Sequence, residues 1–272
     1  MHELFLKVFV YLSNKKLKQN INQFLSVMKL SLLRMLPLFI LMSCASQRGM
    51  ETETLVIRTS PENAVRELEI EFQKGKAFNH PSFAVWTEDL EGNYIETLYV
   101  TGYVAKGRFG FSEVEPGKWK NEPGDARRPA TLPHWAHKRN IQAPDGLFIP
   151  SPETEVPDAI TSATPRSNFR LETATSYSEG KKFRVLLEIN QAWDANEFWT
   201  NNKFEGDINY FGSLQPALVY AVTADPTDSE TEYHLNPIGH SHPTGANGVL
   251  FTDLTTLTTA KEIAHKIIIR LK

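Results

Sequence analysis

The sequence predicts an all-β protein: an immunoglobulin-like antiparallel β-sandwich with one long inserted loop. Three observations carry that expectation. Apolar and polar residues alternate through several short runs. Turn-forming residues separate those runs. A proline-rich stretch from about Tyr103 to Arg166 interrupts the series. Of the 272 residues, 41% are hydrophobic and 22% charged, which suits one large domain or two small ones. The formal net charge of -3 gives no basic surplus of the kind that nucleic acid requires.

The first run is "TLVIRTS" (Thr54–Ser60), alternating as a half-buried strand does. "RELEIEFQ" (Arg66–Gln73) alternates more cleanly, with Leu68, Ile70 and Phe72 on one face and Glu67, Glu69 and Glu71 on the other. A helical reading of the same run buries a worse set. "SFAVWTEDLEGNYIETLYVTG" (Ser82–Gly102) predicts a β-hairpin with Glu91-Gly92-Asn93 at its tip.

The proline-rich stretch follows. A connection this long is commonly functional or a linker. Trp119, Leu132, Trp135, Ile141, Leu147, Phe148 and Ile149 predict that it packs down, with a short helix around Leu132–Lys138. Strands resume with "NFRLETAT" (Asn168–Thr175) and "KFRVLLEIN" (Lys182–Asn190), joined by turn chemistry at Ser176–Gly180. "ALVYAVTAD" (Ala217–Asp225) and "TEYHLNPIGHS" (Thr231–Ser241) are expected to form a second hairpin through Pro226–Glu230, and "AHKIIIRLK" a last strand. Eight or nine mostly antiparallel strands then make one domain over 53–272, with the insertion at about 103–166.

The chain has one cysteine, Cys44, so it holds no internal disulfide and no cluster of cysteine ligands for zinc. Cys44 closes "MKLSLLRMLPLFILMSC", where Lys29 and Arg34 precede a short apolar run from Met35 to Met42. That is the layout of a secretory signal, and the run is shorter than the roughly 20 apolar residues of a membrane span. Leu41-Met42-Ser43-Cys44 resembles a bacterial lipobox, which implies a diacylated Cys44 anchoring the mature chain to a lipid membrane. An uncleaved anchor or a buried cysteine is the bland alternative. Residues 1–43 read as signal region and 44–52 as a tether. Translation starting at Met28 explains the awkward residues before it, and a long composite signal is the other explanation.

Three segments, "HPSFAVWTEDLEGNYIETLYV", "ARRPATLPHWAHKR" and "PDAITSATPR", together with "GHSHPTG" (Gly239–Gly245), resemble a family of predicted bacterial periplasmic proteins, a domain of unknown function. The resemblance implies a periplasmic protein and is nearly silent about activity; with the lipobox-like segment at Cys44, a periplasmic or outer-membrane lipoprotein is expected. "PDAITSATPR" also resembles the acceptor motif of the bacterial flavin transferase: Asp, two variable residues, Ser or Thr, usually Gly, then Ala-Thr. Asp158, Thr161, Ala163 and Thr164 match in order, and Ser162 stands where glycine is usual. This implies FMN joined to Thr164 by a phosphoester, with flavin transferase and membrane or envelope redox proteins as partners. A Ser/Thr turn ahead of the strand at Asn168 is the plain alternative. Trp135, Trp119, Arg166, Arg127 and Arg128 are candidates to cover the ring or meet the phosphate, though each also reads as a structural residue.

Two histidine pairs offer a rival chemistry. His134 and His137 share a face if their segment is helical, and His240 and His242 share one if theirs is extended. Brought together, the four imidazoles could ligate zinc or copper. No Gly-x-Ser-x-Gly elbow, phosphate loop or zincin helix is present, so no catalytic residue is named. The expected function is a lipid-anchored redox carrier bearing FMN. The alternative is a cofactor-free immunoglobulin-like binding or structural module of the cell envelope, and a third reading is a metal-binding protein.

Overall fold

Strand β2 (Arg66–Lys74) shows why the chain builds sheets. Its alternation sends Leu68, Ile70 and Phe72 into the interior and leaves Glu67, Glu69 and Glu71 on the outer face. The glutamates meet cations from the last strand, β14 (Ala264–Leu271): Arg270 reaches Glu69 at 3.0 Å and Glu71 at 3.1 Å. The computed structural model describes residues 54–59, 64–115, 118–156, 164–177, 180–228 and 231–272. They lie in one unit, Thr52–Lys272.

The described residues are mostly β, with two five-stranded sheets. The first runs in the order β1 (Leu55–Arg58), β9 (Phe169–Thr175), β2, β14, β12 (Glu232–His234). The second runs β13 (Asn236–His240), β11 (Leu218–Ala224), β10 (Phe183–Asn190), β3 (Ser82–Glu88), β4 (Tyr94–Val100). Pairing is antiparallel except between β1 and β9, which run parallel. The inner faces share one core. In it Phe169 of the first sheet stacks on Phe72 at 4.9 Å and on Phe83 of the second sheet at 5.0 Å. Offset aromatic stacking of this kind adds to the roughly 1.5–3 kcal/mol that burying each such side chain contributes.

The β3–β4 hairpin forms where the sequence predicts it. Gly92 takes a positive φ of 84° at the tip, and its N–H donates to the Asp89 carbonyl. Two other expectations are corrected. The runs Asn168–Thr175 and Lys182–Asn190 follow each other in sequence but lie in different sheets, so the turn chemistry between them does not join two paired strands. The run Thr231–Ser241 is not one strand. Glu232–His234 pairs with β14, while Asn236–His240 pairs with β11, so the chain changes sheets at the buried Leu235.

The insertion is also more ordered than a linker. It carries the short helices α1 (Gly102–Ala105) and α2 (Pro133–Arg139), and four short strands, β5 (Arg108–Phe109), β6 (Ser112–Glu115), β7 (Lys118–Lys120) and β8 (Gly124–Asp125), that close two small ladders. It packs against the outer face of the second sheet. There Leu132, Trp135, Ala136 and Ile149 meet Ala84, Trp86, Leu186 and Val219 in a second apolar cluster. Consequently β3 and β10 are buried on both faces, which explains their near-continuous apolar runs. A third helix, α3 (Ile208–Ser213), is capped by the Asp207 carboxylate, which accepts the N–H groups of Asn209 and Tyr210. Among the described residues no helix is long and apolar enough to cross a membrane.

Candidate functional site

Helix α2 begins with Pro133, which has no N–H to satisfy, after Leu132, whose side chain caps nothing. The next two N–H groups are met from a distance. Glu188 of β10 accepts Trp135 N–H at 2.7 Å and His134 N–H at 3.2 Å. Glu188 is fully buried, and burial pushes its carboxyl up to about 7 against the opposing pull of those two N–H groups. A second buried glutamate, Glu88, accepts the Trp86 indole N–H at 3.0 Å and pairs with Lys138 at 3.3 Å and Arg184 at 3.1 Å. These two carboxylates fasten the insertion to the sheet. Sequence reasoning missed both. The signal was there for Glu188: it sits in phase with Leu186, inside a run too apolar to have a solvent face.

The histidines have structural partners. His134 Nδ1 donates to the Gly248 carbonyl at 2.8 Å, its ring lies 6.0 Å from Trp86, and burial pushes its pKa down. His137 packs on Phe148 at 4.3 Å, and burial lowers its pKa too, against a hydrogen bond to the Gly245 backbone. His240 stacks on Phe251 and donates through Nδ1 to the Ser241 carbonyl at 2.9 Å. His242 Nδ1 accepts from Thr244 N–H at 3.3 Å. Both pairs lie along the chain from Gly239 to Phe251 or against it. Among the described residues, however, no group of three or more His, Cys, Asp or Glu side chains could hold a metal ion.

Thr164, the expected acceptor, is half-buried, between the segment 157–163 and the buried Pro165. Asp158 and Thr161, with Ser162 and Ala163, lie outside the described residues, as does Cys44. Of the five candidates to cover a flavin, Trp135 is core and donates to Thr97. Arg127 grips Asp145 and the carbonyls of Ile149 and Pro150. Arg128 donates to the Phe111 carbonyl and lies over Phe109 and Trp119. Arg166 is exposed.

The two motif segments "ARRPATLPHWAHKR" and "GHSHPTG" do meet. They enclose a cavity of about 110 Å³ lined by Pro129, Pro133, Ala136 and His137 on one side, Gly146 to Ile149 on a second, and Gly245 and Ala246 on a third. Glycine is required at Gly245. Its φ is +75°, and a Cβ there would stand 2.3 Å from the Pro129 carbonyl. The same holds sterically at Gly248, where a Cβ would meet His137 at 2.4 Å. No protein-family model, curated protein or solved structure matches this chain.

Proposed function

We propose that this chain is an exported, lipid-anchored protein of the periplasm or outer membrane that carries FMN covalently on Thr164. One observation carries the reading. The acceptor pattern Asp158, Thr161, Ala163, Thr164 ends on a threonine that is not sequestered in the core and makes no hydrogen bond to any described residue. A hydroxyl acceptor must be reachable by another enzyme's active site, and a loop ahead of a strand suits that. The lipobox-like Cys44 supports delivery to the compartment where flavin transferase works, and acylation there would hold the chain on the membrane.

The transfer is balanced without redox change. A bond forms between Thr164 Oγ and the FMN phosphorus of FAD, the pyrophosphate bond breaks, AMP leaves, and the hydroxyl proton passes to solvent. Once attached, FMN supplies one- and two-electron chemistry toward membrane or envelope redox partners, and the protein supplies position and environment. Fit is supported by the placement of Thr164, which is half-buried rather than enclosed in the core.

The test is the full chain co-expressed with a flavin transferase. A band that fluoresces after denaturation, and is lost in Thr164→Ala, is expected. Ser162→Gly is expected to raise the labelled fraction, because glycine relaxes the backbone at the usual position. An intact mass equal to that of the unmodified chain would overturn the proposal.

One observation favours the second reading, a cofactor-free immunoglobulin-like binding module. Trp193 is 59% exposed with a φ of 55°, and Phe198, Ile208 and Phe211 are exposed on the same connection. Left-handed backbone at a large exposed residue marks stored strain. Under that reading Thr164 stays unmodified.

A further inference from the structure

We propose that Trp193, Phe111 and Trp119, with the guanidinium of Arg128 beside them, form an open platform for a carboxylate-bearing glycan. This rests on the binding-module reading and not on FMN at Thr164. Two segments remote in sequence build it. Phe111 leads into β6 and Trp119 lies in β7, the strand paired with it, and their rings stack at 5.5 Å. Trp193 comes from the connection between β10 and α3, and its ring makes a T-shaped contact with Phe111 at 6.4 Å.

Trp193 is held in place from below. Its φ of 55° is left-handed, a conformation that persists in a large residue only where the surroundings over-determine it. Those contacts are present. Trp193 N–H donates to the Gly212 carbonyl at 3.2 Å, Asp194 N–H to the Ser213 carbonyl at 3.1 Å, and Gln215 N–H to the Asp194 carbonyl at 3.1 Å. The buried Asp194 carboxylate accepts the Thr259 hydroxyl. The backbone is thus fixed while Trp193 stays 59% exposed. An aromatic ring fixed in this way loses little freedom on meeting a ligand.

Chemistry points to the ligand. A pyranose presents a patch of C–H groups with partial positive charge, which suits the negative face of an aromatic ring. Its hydroxyls stay in water, so an open platform suffices where a small aromatic ligand needs an enclosing pocket. Arg128 supplies the charge. It lies over Phe109 at 4.6 Å and Trp119 at 5.9 Å, and its Nη2 donates to the Phe111 carbonyl at 2.6 Å. Among the described residues no carboxylate pairs with it. A half-buried cation without a counter-ion is costly, and a ligand carboxylate gripped by the guanidinium fork offsets that cost. A bilayer fits less well. The exposed rings of Phe198 and Phe204 have Glu197 and Glu205 as exposed neighbours, which would lose water on insertion.

The experiment titrates the full chain calorimetrically with oligomers of galacturonate, hyaluronan and alginate, and with peptide-free peptidoglycan strands. At least one is expected to bind with a Kd below about 1 mM. Trp193→Ala is expected to weaken that binding about tenfold or more, as loss of an aromatic anchor does, and Trp193→Phe to restore most of it. Arg128→Lys keeps the charge but loses the fork, and is expected to weaken binding by a factor similar to that of reducing the oligomer's carboxyl groups. Urea midpoints near the parent's show that the variants are folded. No binding to any of the oligomers overturns the platform, as does binding that Trp193→Ala leaves unchanged in a folded chain. Capture of phosphatidylglycerol vesicles, lost in Trp193→Ala while no oligomer binds, makes the patch lipid-facing and overturns it too. FMN found on Thr164 in a chain that binds an oligomer overturns the cofactor-free reading alone. Neither FMN nor oligomer bound overturns the platform and leaves that reading standing.

Discussion

Glu188 shows how one side chain sets the chemistry of its surroundings. It is fully buried beneath the insertion, and its carboxyl is raised from an ordinary 4.5 to about 7 by burial. The unfolded chain therefore releases this proton at lower pH than the folded one. The stability linked to Glu188 is complete below about pH 4.5 and falls as the pH rises through about 7, by about 3 kcal/mol in all. His134 and His137 act in the opposite sense. Their lowered values give stability present above the ordinary 6.5 and lost as the pH falls. The variant must therefore be compared with its parent. Glu188→Gln is expected to lose about 1–3 kcal/mol at low pH, where its amide meets a backbone N–H. It should also abolish the part of the slope between about pH 5 and 8 that the parent owes to this group. Urea midpoints across that range measure it, and parallel profiles for the two proteins would refute the assignment.

At the level of elements, the segment from β12 to β13 is the instructive one. Its alternation resembles a single strand, yet the chain changes sheets at Leu235. That residue is 6% exposed, and its N–H donates to the Ile267 carbonyl at 3.1 Å. Pro237 lies opposite Tyr220 where the β11 ladder slips register, a place that tolerates a missing donor. The corner depends on one apolar plug. Leu235→Ala is expected to cost about 2–4 kcal/mol, as emptied core positions do. Glu232→Ala, one turn of the pleat away in an ion pair with Arg270, should cost under about 1 kcal/mol. Equal losses from the two would show that the corner does not depend on Leu235. The helical element was easier to foresee. Leu132–Lys138 was expected and Pro133–Arg139 is found, because Pro133 marks a first helical turn on its own.

For the whole molecule, the last strand is a test of layering. β14 lies between β2 and β12, and the backbone N–H of Lys272 reaches the Glu67 carbonyl at 3.0 Å. Removing Ala264–Lys272 exposes both neighbouring edges and opens the shared core. The shortened chain is expected to show no cooperative urea transition. The full chain should show one transition, coincident by far-ultraviolet circular dichroism and by tryptophan fluorescence. Coincidence is informative because Trp86 and Trp135 sit in the second cluster, between insertion and sheet, while the dichroism reports strands. Two separated transitions would mean that the insertion folds independently of the sheets.

Much of this was legible along the chain. Alternation identified β2, because a strand buried on one face writes its period directly into the residue order, and the Glu91-Gly92-Asn93 tip marked the β3–β4 hairpin. The acceptor-like pattern ending at Thr164 is likewise a property of neighbours in sequence. What tertiary structure decided was which distant segments share a face. The second sheet needs cover on both sides, so the insertion becomes a third layer, and the carboxylates of Glu188 and Glu88 become its fastenings. The four histidines became partners of backbone carbonyls, amides and aromatic rings rather than of one another. The cavity beside His137 exists only because Gly245 and Gly248, more than a hundred residues away, pass closer to α2 than any side chain would allow. Local pattern determines how a segment can bury itself; the close approach of remote segments determines what is buried against it, and that distance is not written in any one of them.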